Sequence, residues 1–205
     1  IHIAYEYILL ENIYSALVEI DPKNGQVIPS AAESFSWVGD ELHFKIRKGL
    51  RTASGRSITA TDVVFSLKRI ILLAANTHGN FQDLLCPGFE LKKISDPCPG
   101  IEQRGDIVVL KPGSKKTVLL PMLAAIDFAI LPESAVDPET LAIRDFRETS
   151  GLYYVEADDG NGRLILKINP AHFHASDDIA QVVELVPFNA KAGESALALL
   201  DQGLV

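Results

Sequence analysis

Two stretches fix most of what this chain can fold into. In "SFSWVGDELHFKIR", residues 34–47, Phe35 and Trp37 alternate on one arm and Leu42, Phe44 and Ile46 on the other, with Gly39 and Asp40 between them. Period-2 alternation interrupted by a Gly-Asp pair is a β-hairpin signal, because such a turn accepts the positive φ that closes two twisted strands. "GLYYVEADDGNGRLILKIN", residues 151–169, repeats the pattern with its turn at residues 158–162. Each hairpin has an apolar face that something else in the chain must cover.

Helical signals supply the cover. In "GRSITATDVVFSLKRI", residues 55–70, Thr59 followed three positions later by Asp62 is a capping box, which predicts a helix start. Val63, Leu67, Ile70, Ile71 and Ala74 then fall on one helical face, with Lys68 and Arg69 toward the C-terminal end, where the helix dipole favours cations. Further helices are expected over residues 6–18 and 118–127, and a last one from Asn189 to Asp201. Single strands are expected at "DIVVLK" and "QVVELVPF". "DPKNG" reads as a turn, and residues 76–105, rich in proline and glycine, as irregular surface structure. The expected class is α/β, with a mixed sheet.

Composition removes several functions. Among 205 residues the net charge is -8 and Lys and Arg are scattered, which disfavours a nucleic-acid partner, since phosphate neutralisation needs clustered cations. The apolar run "TVLLPMLAAI" is too short to span a bilayer and is broken by Pro121. The sequence has no G-x-S-x-G, H-E-x-x-H or P-loop, and "GNG" at 160–162 lacks a strand-to-helix setting. His172 and His174, in "HFH", are two imidazoles without a third ligand nearby in sequence, and read as exposed turn histidines; no metal or cofactor is expected. Asp158 with Asp159, and Asp177 with Asp178, read as solvated turns and a cap. No catalytic residue emerges, and an enzyme is not expected.

Cys86 and Cys98, each followed by proline, are spaced to close a short loop. Two buried thiols would fit the same positions, but the disulfide is the expectation, and it would point to an oxidising compartment. The chain opens on Ile1 and closes with Leu204 and Val205, which read as the start of an interrupted strand; the expectation is a part of a longer protein.

Residues 14–70 resemble the N-terminal signature of the extracellular solute-binding proteins of the peptide, dipeptide and nickel class, family 5, which serve ABC importers. The matching places are Tyr14 and Leu17, Asp21-Pro22, Pro29, Ala32-Glu33-Ser34-Phe35, Phe44-Lys45-Ile46-Arg47, Gly55, and the run from Thr59 to Ser66. Later, "TSGLYYV" is similar to the family's Gly-Thr-Gly-Pro-Tyr segment, with Leu152 in the proline's place. "LILKINPAHF" is similar to its following strand and Asn-Pro turn, with His172 in the tyrosine's place. "ESALALLDQG" looks like the helix that precedes the crossing to the second lobe.

The resemblance implies the N-terminal lobe of a type II, cluster C periplasmic-binding-protein fold that closes on its ligand by hinge motion. Within it, residues 26–148 would form a β-hairpin and helix subdomain, and residues 1–25 with 149–205 part of the base lobe. It further implies short peptides or another small solute as ligand, held largely by main-chain pairing. A membrane permease would be the partner, and the location periplasmic or otherwise extracytoplasmic, with or without a lipid anchor. The segment before the first helix matches the family region lining the cleft, so His2, Ile3, Ala4 and Tyr5 are ligand-binding candidates, with Phe81 a further one. Two alternatives use the same fold: the sensing domain of a cytoplasmic transcriptional regulator, and a catalytic protein whose active residues the sequence does not reveal.

Overall fold

A computed structural model describes residues 4–73, 81–113 and 116–186. The chain opens with α1 (Ala4–Ile13), then β1 (Val18–Ile20) and β2 (Val27–Pro29), which pair around the "DPKNG" turn. The helix expected over residues 6–18 thus stops at Ile13: Tyr14 N–H makes the last ladder bond, to Leu10 O, Ser15 N–H donates to Ser150 Oγ instead, and Val18 already belongs to a strand. The first hairpin forms as expected from β3 (Ala32–Val38) and β4 (Glu41–Ile46), with Phe35 opposite Phe44 and Gly39 at φ 60° in the turn.

Residues 60–73 form α2 (Ala60–Leu73). Its start is fixed by Asp62, whose Oδ2 accepts the Thr59 N–H at 2.8 Å and lies 3.0 Å from the Thr59 hydroxyl, while Oδ1 pairs with Arg56 Nη2 at 3.0 Å. Of the expected stripe, Val63, Leu67 and Ile71 are buried, Ile70 is half-buried and Ala74 lies outside the described residues; Phe65 and Ser66 on an adjoining face are buried too. Beyond it lie α3 (Phe81–Leu85), β5 (Ile101–Arg104), β6 (Ile107–Leu110) and α4 (Lys116–Met122). The helix expected over 118–127 ends early, at Met122, with a single 3₁₀ turn following at Ile126–Phe128.

Two further sheets complete the architecture. Strands β3, β4, β6 and β5 form a four-stranded sheet in that order, against which α2 packs; β7 (Tyr153–Asp158), β8 (Leu164–Ile168) and β9 (Val182–Leu185) form a three-stranded one. Helices and strands intermix as expected, but every pairing among these strands is antiparallel where a mixed sheet was expected. The helix expected from Asn189 lies outside the described residues.

Within the segment expected to be irregular surface, residues 86–100 are irregular and largely exposed as expected, but they run between α3 and β5 and are anchored in the interior. Leu84, Leu85, Cys86, Leu91 and Cys98 are all buried, and Cys86 and Cys98 form a disulfide with Cα atoms 4.7 Å apart. Gly100 donates its N–H to Leu85 O at 2.7 Å, so close that a Cβ there would overlap the Leu85 backbone. The stretch is thus an irregular crossing between α3 and β5, as composition suggests, whose buried anchors composition does not reveal.

Buried side chains divide into two clusters. One runs from Leu17 to Ile130 and centres on Leu42, Phe44, Val63, Val108 and Leu110. The other joins Ile13 and Tyr14 to Leu131, Val136, Tyr153 and Leu166, with Phe65 reaching in from α2. Between them lies a polar neck. Ile130 N–H donates to Ser15 O at 2.9 Å, Ser15 N–H donates to Ser150 Oγ at 2.9 Å, and the Ser150 hydroxyl donates to Ile130 O at 2.7 Å. Gly151 N–H donates to Ile13 O at 2.9 Å, and a Cβ on Gly151 would enter the Ile13 backbone.

Candidate functional site

Beside this neck opens a cleft of about 420 Å³, lined in part by Glu11 and Asn12 from the end of α1, Ser15, Glu19 of β1, and His172 and His174. Its volume falls in the range of roughly 300–1,000 Å³ typical of small-molecule sites. Helix α1 delivers Glu11 and Asn12 because its inner residues, Leu9, Leu10 and Ile13, pack on the second cluster. The histidines arrive on the turn after β8. There Asn169, fully buried, donates from Nδ2 to Arg51 O at 2.9 Å and accepts the Ala171 N–H on Oδ1 at 3.1 Å. His172 N–H then donates to Asn169 O at 3.0 Å, which turns the imidazole inward.

His172 is 8% exposed, a buried residue where the sequence reading expected an exposed one; His174 is exposed as expected. The reason is the Asn169 turn, which folds residue 172 beneath Phe173. The two rings lie 4.1 Å apart by centroid, and the Arg47 guanidinium sits 4.3 Å over the Phe173 face. Burial, then the neighbouring His174 and Arg47, pull the imidazole's pKa down to about 4, so it is neutral at pH 7.

Its tautomer follows from its bonds. Nδ1 accepts the His174 main-chain N–H at 3.2 Å, so the ring proton resides on Nε2, which faces Ser15 Oγ at 3.2 Å. A histidine that serves as base toward a serine must present its lone pair to the hydroxyl. Here the hydroxyl meets an N–H. The arrangement builds a wall and does not activate a nucleophile. Among the described residues there is likewise no group of three or more His, Cys, Asp or Glu placed to hold a metal ion.

The sequence candidates fall elsewhere. His2 and Ile3 lie outside the described residues; Ala4 and Tyr5 form the first turn of α1, the end opposite Glu11 and Asn12, about 10 Å away along the axis. Phe81 is 2% exposed and packs edge-on against Phe128 with centroids 4.7 Å apart, so its ring is committed to the core. Ser15 and Ser150, which hold the neck, were not singled out from sequence. Isolated serines beside apolar residues carry no periodic signal, and their partners lie 135 positions apart.

No protein-family model matches the chain, and no curated protein sequence matches it. Solved structures do. The periplasmic oligopeptide-binding protein OppAIV of Borrelia burgdorferi aligns over 99% of this chain and 42% of its own, with TM-score 0.80 and 17% identity. An oligopeptide ABC transporter substrate-binding domain from Bacillus anthracis aligns over 100% and 40%, with TM-score 0.76 and 20% identity. Haemophilus influenzae OppA, in complex with the peptide RPPGFSPFR, aligns over 98% and 40%, with TM-score 0.74 and 19% identity. All three are binding proteins. The chain spans about two fifths of their length, and over that span it has the fold of the two-lobed oligopeptide-binding proteins.

Proposed function

We propose, from that shared fold, that this chain belongs to an ABC-importer substrate-binding protein that captures short peptides between two lobes outside the cytoplasm and presents them to a membrane permease. The observation that carries the reading is the likeness to oligopeptide-binding structures over nearly the whole chain, at TM-scores of 0.74 to 0.80. The Cys86–Cys98 disulfide supports a location in an oxidising compartment, where such bonds persist, and weighs against a cytoplasmic sensor. The cleft beside Ser15 and His172 would offer part of the solute-facing surface, and the sequence candidates His2, Ile3, Ala4 and Tyr5 are proposed to contribute another part. The subdomain of residues 26–148 stays a proposal, since the two packing clusters cut the chain elsewhere: Leu17 and Val18 pack in the first, and Phe65, Leu131 and Val136 in the second.

Native mass spectrometry of the full-length protein, purified from its own cell envelope fraction, tests this. A ladder of bound masses matching short peptides is the expected result. One discrete small molecule would redirect the assignment to a specialised importer. An empty protein recovered from the cytoplasm would overturn the reading in favour of a sensor.

A further inference from the structure

We infer that the turn carrying His172 is an acid-operated latch on the cleft wall, closed when Nδ1 accepts the His174 amide and released when that nitrogen takes a proton. Both ring nitrogens are already committed: Nδ1 receives a main-chain N–H and Nε2 presents its own proton to Ser15 Oγ. A second proton can enter only at Nδ1, and it abolishes the acceptor that holds residue 174. The new N–H and the His174 N–H would then point at one another.

The surroundings oppose the resulting cation. From its own turn His174 faces it, with centroids 5.7 Å apart; from the segment after β4, Arg47 lies across the shared Phe173 ring. Neither Ser15 on the α1–β1 connection nor Ser150 on the neck carries a compensating charge. Glu11, exposed, and Glu19, half-buried, line the same cleft. The cheapest relief is for the ring to swing toward them and away from Ser15. Since Ser15, His172 and His174 all line the cleft, this movement changes its shape and its charge together. Acid conditions would therefore remodel the surface that meets the solute, while the sheets are left intact.

The latch acts on the cleft proposed to face the solute, so its test is run without solute and the two readings fail separately. Amide hydrogen exchange of the ¹⁵N-labelled full chain is followed from pH 7 to pH 4 and normalised to intrinsic rates, alongside the His172 ring shifts. With a ring pKa of about 4, about a tenth of molecules carry the proton at pH 5 and about half at pH 4. Protection at the His174 amide should fall at least about tenfold over the range, while amides of β4 and β6 keep theirs. His172→Gln, which cannot titrate, should show no such local loss. The latch is overturned if His174 stays protected at pH 4, if it loses protection only together with β4 and β6, if the glutamine variant behaves identically, or if the ring titrates near 6.5.

Discussion

At the scale of single residues, His172 and Asp62 carry opposite lessons. For His172 the unfolded chain binds a proton below about pH 6.5, the folded chain only below about 4. Between those values the unfolded state holds more protons, so stability falls as pH drops through the window. The loss reaches about 2.5 kcal/mol by pH 4.5, and urea titrations at pH 7 and 4.5 should show His172→Gln losing less than the parent by that amount. Asp62 was legible: the Thr-x-x-Asp spacing announced the helix start, and the structure adds Arg56 to the same carboxylate. Replacing it by alanine removes the cap and leaves the partly buried Arg56 without its counter-charge. A destabilisation of about 2 kcal/mol is expected in chemical denaturation, with asparagine costing less. The burial of His172 was not legible, because it depends on a turn whose anchor, the Arg51 carbonyl, lies 118 positions upstream.

At the scale of elements, period-2 alternation located both hairpins because strand faces are set by neighbours two residues apart, and helical spacing located the buried stripe of α2. The same logic missed Phe65 and Ser66. Ser66 accepts the Leu131 N–H at 2.8 Å and donates to Asp62 O at 2.7 Å, a tether from α2 to the second cluster that no local pattern encodes. The irregular crossing from α3 to β5 was expected, but its interior anchoring was not, for a similar reason: Gly100 is there for a close approach between backbones. Replacing Cys86 and Cys98 by serine should lower stability by about 3 kcal/mol, read as a fall in thermal midpoint that reducing agent reproduces in the parent. On the outer face of the four-stranded sheet, Arg104 pairs with Glu41 at 3.0 Å and with Glu102 at 2.7 Å, while Lys111 bonds both carboxylates. Hydrogen bonds, that from Arg104 foremost, hold both acids down at about 2. Their contribution is present above pH 4.5 and lost as pH falls toward 2. Arg104→Gln should flatten that acid limb in a pH series of melting temperatures, and high salt should diminish the difference.

At the scale of the whole molecule, the fold class was readable from the order of elements and the resemblance of residues 14–70, whereas the neck was not. Ile13, Ser15, Ile130 and Ser150 meet only in three dimensions. On the proposed function this chain would offer one side of an enclosure, and enclosure is what buries a small ligand. Calorimetry on the 205-residue chain should accordingly find peptide affinities no tighter than about micromolar. Gly151→Ala, which pushes a methyl group into the Ile13 backbone, should cost about 1–3 kcal/mol. The neck has one more consequence. The stretch from Ala16 to Leu131 leaves and rejoins the rest of the chain at a single spot, so in genetic terms it is a cassette. A short splice across that spot could excise it without stretching the polypeptide on either side, at the cost of the contacts that Phe65, Arg51 and Arg47 make with the remainder.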